Sequence, residues 1–589
     1  MTKPKLMTDR LLHELFGVEE LRDGQQAVID SVMAGKDTLV IMPTGGGKSL
    51  CYQLPALLLP GTTVVVSPLI SLMKDQVGKL TELGVQAVQL NSSLASEEED
   101  SAMACIRSGQ ARIVFCTPER LANQAFQEAF ASITVSLIAI DEAHCISQWG
   151  HDFRPAYLEL AAAIKTLGRP PVLALTATAP EDVVNDIRQQ LHTPQMAVIN
   201  TGIYRPNLRY RVVQTTNHAE RCEQALKLVR ETEGVGILYA ATVKAVKEIH
   251  AQLEQAGESV TCYHGKLTAL ERKENQELFM TGERRIMVAT NAFGMGIDKG
   301  NTRFVIHLQM PPNLNAYYQE SGRAGRDGEP ADCTLLFLQD DKRVQQFFLA
   351  RHLPAAEELH AIYHTAVELC AESSFSFDMI KEKLTDCSDG RLKACLQLLK
   401  DGHLLRQDRK LRYKICKTVP TQEVFASLAE IDQHRQEHER EALEKMVSYA
   451  LSGFCRWKLL LDYFGDDNDF ERCCTCDNCI SPPAIMQAGP GDDIRIDPLA
   501  AVAAAMPAPA ESLPAMAVAA DAADAADAAD DTAVAESAVL VGSQVRVPKF
   551  DLGTVLSVEG EKITIEFPNH EVRTFLDSFV ETVTAQNAG

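Results

Sequence analysis

Three groups of residues, met in order along the chain, have the types and spacing needed for chemistry on a nucleoside triphosphate. They are Met42-Pro43-Thr44-Gly45-Gly46-Gly47-Lys48-Ser49, Asp141-Glu142-Ala143-His144 and Gln319-Glu320-Ser321-Gly322-Arg323-Ala324-Gly325-Arg326. In the first, glycines let backbone N–H groups close on phosphate oxygens while Lys48 reaches the β- and γ-phosphates. Ser49 offers a hydroxyl to Mg²⁺, and a carboxylate on a later strand completes the metal site. Asp141 stands where that carboxylate is needed, directly after the apolar run 135–140. The arginine pair, Arg323 and Arg326, can supply positive charge to a transferring phosphoryl group. Each group alone has a plainer reading: a glycine loop without a ligand, a solvated strand end, surface charge. Their joint occurrence in this order reverses those priors, although Met42 stands where the generic loop has its first glycine.

These groups must be held by regular elements. Short apolar runs at 38–42, 63–67, 113–117, 137–141 and 172–176 alternate with amphipathic helical stretches, which indicates parallel β-α units. A second series follows at 236–240, 260–264, 285–290, 304–309 and 333–338. It has no phosphate loop but carries the arginines. Loops at the carboxyl ends of parallel strands are where such sheets bind ligands. Two α/β lobes therefore imply a nucleotide cleft between them.

At 589 residues the chain exceeds the ~250–300 at which single cores stop growing, so several domains are expected. Its 46% apolar and 23% charged content is that of ordinary soluble protein. No apolar run reaches the ~18 residues of a membrane span, and the first residues lack a secretory pattern, so a cytoplasmic location is expected, beside the nucleoid in a bacterium. Sixteen cysteines in such a chain point to reduced thiols and a metal rather than a disulfide framework. The net charge of −23 argues against a nucleic-acid partner only weakly, because charge acts locally and much of the excess lies in separable runs such as 97–100 and the Asp-Ala-Ala repeats after Asp521.

Over roughly residues 10–340 the chain resembles a superfamily 2 helicase of the RecQ type. The resemblance rests on Asp141-Glu142-Ala143-His144 running through Trp149 and Phe153 to Arg154-Pro155, on Ser67-Pro68-Leu69-Ile70-Ser71-Leu72-Met73, and on Thr117-Pro118-Glu119-Arg120. It also rests on Leu175-Thr176-Ala177-Thr178-Ala179, on Phe293-Gly294-Met295-Gly296-Ile297-Asp298 and on the closing arginine motif. It implies that Thr44 to Ser49, Asp141, Gly296 and Asp298 hold ATP and Mg²⁺, that Glu142 deprotonates the attacking water, and that Arg326, with Arg323 nearby, is the arginine finger. It further implies that His144 and Gln319 couple the ATP site to DNA. Trp149, Phe153 and Arg154 would stack on and neutralise single-stranded DNA, with Arg120 and Thr242 as further DNA contacts; core aromatics are the alternative for the first two. The segment 16–25 resembles the adenine-reading motif, in which Gln25 bonds the adenine edge and Arg22 lies on its face. Val18 and Leu21 stand where the family has aromatics, and Tyr239-Ala240-Ala241-Thr242-Val243 lacks the usual Asn-Ser-Arg.

Cys455, Cys473, Cys476 and Cys479 are spaced as one thiol, a gap, then C-x2-C-x2-C, which fits a closed tetrahedral Zn²⁺ site, with Cys474 as the spare. An iron–sulfur cluster is the rival for four thiolates. The segment also resembles the RecQ zinc module. Before it, three helical stretches at 355–372, 378–384 and 389–401 precede strands 404–407 and 411–415, the order of a winged helix. Its third helix could enter a major groove, with Arg391, Lys393, Lys400 and Arg409 as positive charge. A small helical packing domain is the alternative, and the family places its winged helix after the zinc module.

Residues 481–538 are rich in Ala, Pro and Asp and read as a flexible acidic tether. Strands at 545–547, 553–558, 562–567 and 572–575 then suggest a small β-barrel resembling the Tudor-like tail of UvrD-type helicases. That likeness implies a protein-docking module, with RNA polymerase as one partner. The fold class expected is α/β: RecA-like lobes at 1–203 and 204–345, a winged-helix-like domain at 346–420, a helical zinc-binding module at 421–482, a linker at 483–538 and a barrel at 539–589. The resemblance implies an ATP-dependent 3′→5′ DNA helicase acting on single-stranded and duplex DNA in repair and recombination. The rivals are an RNA helicase and an ATP-dependent DNA translocase or clamp that does not separate strands.

Overall fold

The computed structural model describes residues 10–482, less 93, 148–153, 295–298, 350–352, 371–373, 386, 409–410, 417–419 and 467–469, together with strands between 544 and 582. The tether and Trp149, Phe153, Gly296, Asp298 and Arg409 therefore lie outside the described residues. The chain divides into two compact units, Met1–Ala515 and Met516–Gly589. Among the described residues no helix is long and apolar enough to cross a membrane.

The first unit opens with seven parallel strands: β1 (Thr38–Ile41), β2 (Thr62–Val66), β3 (Ala87–Leu90), β4 (Ile113–Cys116), β5 (Val135–Ile140), β6 (Val172–Thr176) and β7 (Ala197–Asn200). They lie in the order β3-β4-β2-β5-β6-β1-β7. Strands buried on both faces read as unbroken apolar runs, and β1, β2, β4 and β6 are buried throughout. Side chains alternate across the pleat: Leu39 and Ile41 enter one helical layer with Val64 and Ile138, while Val40 enters the other with Val65 and Leu137.

A second parallel sheet follows, built from β8 (Leu208–Gln214), β9 (Val235–Tyr239), β10 (Val260–Tyr263), β11 (Ile286–Ala289), β12 (Thr302–His307) and β13 (Ala331–Phe337). Its order is β10-β11-β9-β12-β13-β8. Only residues 201–207 separate β7, at the edge of the first sheet, from β8, at the edge of the second.

Helices Ala356–Cys370, Phe377–Lys383 and Asp389–Asp401 come next, then the antiparallel hairpin β14 (Leu405–Gln407) and β15 (Tyr413–Ile415). A bridge from Phe375 to Tyr413 adds a third partner to the hairpin, the arrangement of a wing. The positive charge expected to face DNA has neighbours within the chain: Arg391, still exposed, pairs with Glu358 at 2.9 Å, Lys393 lies over the Phe377 ring and Lys400 donates to Gln407 at 3.0 Å. A thirty-residue helix, Gln422–Leu451, leads to Arg456–Phe464 and the cysteines. These helices are not a separate body, since Trp457, Leu460 and Cys476 share one core with Leu208, Tyr210 and Ile237 of the second sheet.

In the second unit, β16 (Gln544–Val547), β17 (Asp551–Glu559), β18 (Lys562–Glu566), β19 (Val572–Leu576) and β20 (Glu581–Thr582) form an antiparallel sheet in the order β19-β18-β17-β16-β20. Among the described residues β19 and β20 are its two edges, so the expected barrel is described as far as an open sheet.

Candidate nucleotide site and metal centre

The phosphate loop links β1 to the helix Leu50–Leu58. Gly45 and Gly47 have φ of 82° and 84°, the left-handed region that only glycine enters cheaply. A Cβ on Gly46 would come within 2.6 Å of the Met42 side chain, so the residue in place of the usual first glycine packs under the loop and excludes side chains there. Lys48 donates from Nζ to the carbonyl oxygens of Met42 and Pro43, at 3.1 and 3.4 Å. Burial lowers its pKa, and the nearby Glu142 and Asp141 oppose that shift.

Sheet order brings the carboxyl ends of β2, β5 and β6 side by side. Asp141, beyond β5, is buried and accepts from Ser67 Oγ at 3.5 Å. Burial and the adjacent Glu142 push its pKa up to about 7, against the pull of Lys48. Glu142 adopts φ 50°, a strained backbone for a non-glycine residue. Its Oε2 is buried 3.4 Å from His144 Nδ1, which lies 3.0 Å from Thr176 Oγ1. Thr176 Oγ1 in turn donates to the Thr178 carbonyl at 2.9 Å. Burial first, then Lys48 and Arg154, lower His144 to about 3, so it is neutral at working pH.

A cavity of about 660 Å³ joins these parts. Phe16, Val18, Arg22 and Gln25 wall one end, Lys48, Asp141 and Glu142 the middle, and Arg326 comes from the second lobe. Arg323 is buried elsewhere: its guanidinium is directed towards Gly294 and the Tyr239 hydroxyl. Both ends of the Gln25 carboxamide hold backbone. Its Oε1 accepts from Arg22 N at 2.8 Å and its Nε2 donates to Gly47 O at 3.0 Å, so it ties the segment at Arg22 to the glycine loop. Arg22 likewise donates to the Gly45 carbonyl.

The raised pKa of Asp141 gives a signed expectation. Between about pH 4 and 7 the folded chain binds more protons at this carboxyl than the unfolded chain, so its contribution to stability declines as pH rises through that window and is flat above it. Without divalent cation, D141N is therefore expected to melt above wild type at pH 8, by a margin that narrows towards pH 5, while losing ATP turnover. Thermal melts at the two pH values check this, and an equal or lower melting point at pH 8 would contradict it.

The four thiols Cys455, Cys473, Cys476 and Cys479 place their sulfurs within 4.8 Å of one another. Backbone N–H groups already point at them: Cys473 N at Cys455 Sγ (3.3 Å), Cys476 N at Cys473 Sγ (3.3 Å) and Arg456 N at Cys476 Sγ (3.4 Å). Donors of this kind stabilise thiolates, so the set fits a tetrahedral Zn²⁺. Cys474 is exposed with φ 60° and stands outside the cluster.

Three family models match the chain: DEAD/DEAH box helicase over residues 22–187, helicase conserved C-terminal domain over 217–328 and RecQ zinc-binding over 407–480. The ATP-dependent DNA helicase RecQ of Bacillus subtilis (strain 168) is 46% identical over 341 residues, covering 58% of this chain and 57% of that protein. The probable ATP-dependent DNA helicase RecS of the same strain is 41% identical over 350 residues, covering 59% of this chain and 70% of that protein. The chain belongs to the RecQ family. It spans 57% of the length of the B. subtilis RecQ and likewise of the Pasteurella multocida RecQ, to which it is 40% identical over 365 residues, or 62% of this chain.

The remaining described positions expected of a RecQ-family chain lie outside the cavity lining. Arg154 donates to the Pro68 carbonyl at 3.4 Å and so lies beside the Ser67 segment. Arg120 pairs with Glu99 on a short helix after β4. The Thr242 hydroxyl accepts from Ala245 N at 3.2 Å and caps the helix Val243–Gln255. Gln319 sits half-buried on the helix Leu314–Ser321. Ser67 and Thr176 have roles that sequence alone does not show. Their signal is a polar residue closing an apolar run, which acquires meaning only when strand order sets them beside Asp141 and His144.

Proposed function

We propose that the chain is an ATP-driven DNA helicase that travels 3′→5′ on one strand of a duplex in repair and recombination. The observation that carries this is the shared cavity, in which Lys48, Asp141 and Glu142 of one lobe face Arg326 of the other. Phosphoryl transfer needs mainly positioning and charge neutralisation, which a cleft that closes on its substrate supplies. In this reading Lys48 and Ser49 hold the phosphates, Asp141 holds Mg²⁺, and Glu142, aimed by His144, takes the proton of the attacking water. Arg326 meets charge on the γ-phosphate, and the Glu142-His144-Thr176 contacts carry the state of the ATP site to the DNA side. The C-terminal sheet serves as a docking module for a protein such as RNA polymerase.

A translocase or clamp that leaves strands paired is the second reading. It is favoured by the internal pairing of Arg391 and the internal bonding of Lys400 on the helix expected to meet DNA. ATPase with single-stranded DNA or RNA, run beside opening of a 3′-tailed duplex, separates the readings. DNA-stimulated hydrolysis with strand opening is the expected result. Brisk hydrolysis with the duplex intact would select the clamp, and stimulation by RNA alone would sink both.

A further inference from the structure

The segment joining the lobes ends in a buried arginine that faces carbonyl groups. Arg205 Nη1 donates to Gly322 O at 2.7 Å, and Nη2 donates to Ala324 O at 2.8 Å and Gly325 O at 2.6 Å. Gly322 is the C-cap of the helix Leu314–Ser321, where carbonyls lack helical partners and the helix dipole presents negative charge, and Ala324 and Gly325 lie in the loop just beyond it. A planar guanidinium reaches several such oxygens at once, which a lysine ammonium cannot do in the same geometry. Asn207 adds bonds from Nδ2 to Gly325 O at 2.8 Å and Glu329 O at 2.9 Å. The loop gripped in this way is the one that carries Arg323 and Arg326.

The other end of the same segment is fixed to the phosphate-loop strand. Thr201 N donates to Ile41 O at 2.9 Å, one residue before Met42. Between Thr201 and Arg205, the Ile203 carbonyl accepts from the Tyr318 hydroxyl at 2.7 Å and the Ile203 N–H donates to Asp466 Oδ2 at 2.6 Å. Five residues, hydrogen-bonded on both sides, thus run from the strand that presents Lys48 to the loop that presents Arg326.

We infer that Arg205 is a positioning residue for ATP hydrolysis, setting the height of the arginine loop over the phosphate loop. Because it touches only backbone of that loop, it acts through Arg326 and not on nucleotide. The inference rests on the ATPase reading above.

The test uses the full chain with Mg²⁺ and saturating single-stranded DNA. R205K is expected to lower kcat for ATP at least 10-fold with KM changed less than about 3-fold, zinc content unchanged and melting within a few degrees of wild type. In an R326A background, where the loop has lost its reacting charge, R205K should add less than a 2-fold loss in single-turnover rate, since coupled residues are non-additive. Wild-type turnover in R205K, or losses that multiply in the double variant, would overturn the inference. Should R205K lose zinc or melt far below wild type, R205Q, whose carboxamide can still donate towards these carbonyls, replaces it, and wild-type kcat there would overturn the inference equally. A wild-type chain that does not hydrolyse ATP would defeat the functional reading and this inference with it.

Discussion

Replacing Lys48 with alanine is expected to lower ATP turnover roughly 100- to 1,000-fold and to abolish duplex opening, because two losses coincide. The first is direct: the ammonium on the β/γ side of the nucleotide is gone. The second follows from the site's own electrostatics. Asp141 already titrates near 7 because it is buried beside Glu142, and Lys48 is the cation that holds it down. Without Lys48 the carboxyl is protonated to higher pH and becomes a poorer ligand for Mg²⁺. K48A turnover should therefore recover partly with rising pH and Mg²⁺ concentration, which loss of a phosphate contact alone would not produce. Folding should be spared, since the bonds lost on the protein side are two to loop carbonyls. A steady-state assay across pH 6.5 to 9 checks both parts. A variant retaining more than a tenth of wild-type turnover would remove Lys48 from the mechanism.

What the sequence makes legible follows from how the sheets bury their strands. Central strands such as β1, β2, β4 and β6 lie between helical layers, so each is an apolar run that stands out among amphipathic helices. The strands missed in the two lobes, β3, β7 and β8, all lie at sheet edges, and their half-exposed or alternating burial leaves no such run. The phosphate loop, Asp141 and the cysteines were legible because their chemistry demands particular residue types at short spacing. Roles that depend on strand order were not. Nothing local tells Gln25 that its carboxamide will face Gly47 O, or Thr242 that its hydroxyl will cap a helix, or Arg205 that it will meet a loop more than a hundred residues away. The partner of Arg391 was illegible for the same reason, since Glu358 lies on another helix.

Serine at Cys476 is expected to reduce bound zinc to well under one ion per chain and to lower the melting temperature by about 10 °C, on the order of 3–5 kcal/mol for a domain of this kind. The size of the effect follows from where the sulfur sits. Cys476 is fully buried in the core of the second lobe. The next residue, Asp477, receives Arg456 at 3.0 Å and accepts from the β8 backbone at Val212 N, 2.9 Å away. Trp457 Nε1 donates to Leu208 O on the same strand, at 3.0 Å. Loss of the metal therefore loosens the flank of β8, the strand that follows Arg205 directly. ATP turnover should fall with zinc content even though the cysteines lie outside the cavity lining. C474S is the matched control: the same chemistry two residues away, on an exposed sulfur outside the cluster, should leave zinc, melting and turnover unchanged. Metal analysis with thermal melts reads all three variants together. Equal zinc in C476S and wild type would refute the four-cysteine assignment, whereas zinc loss in C474S would make that residue a ligand in place of one of the four.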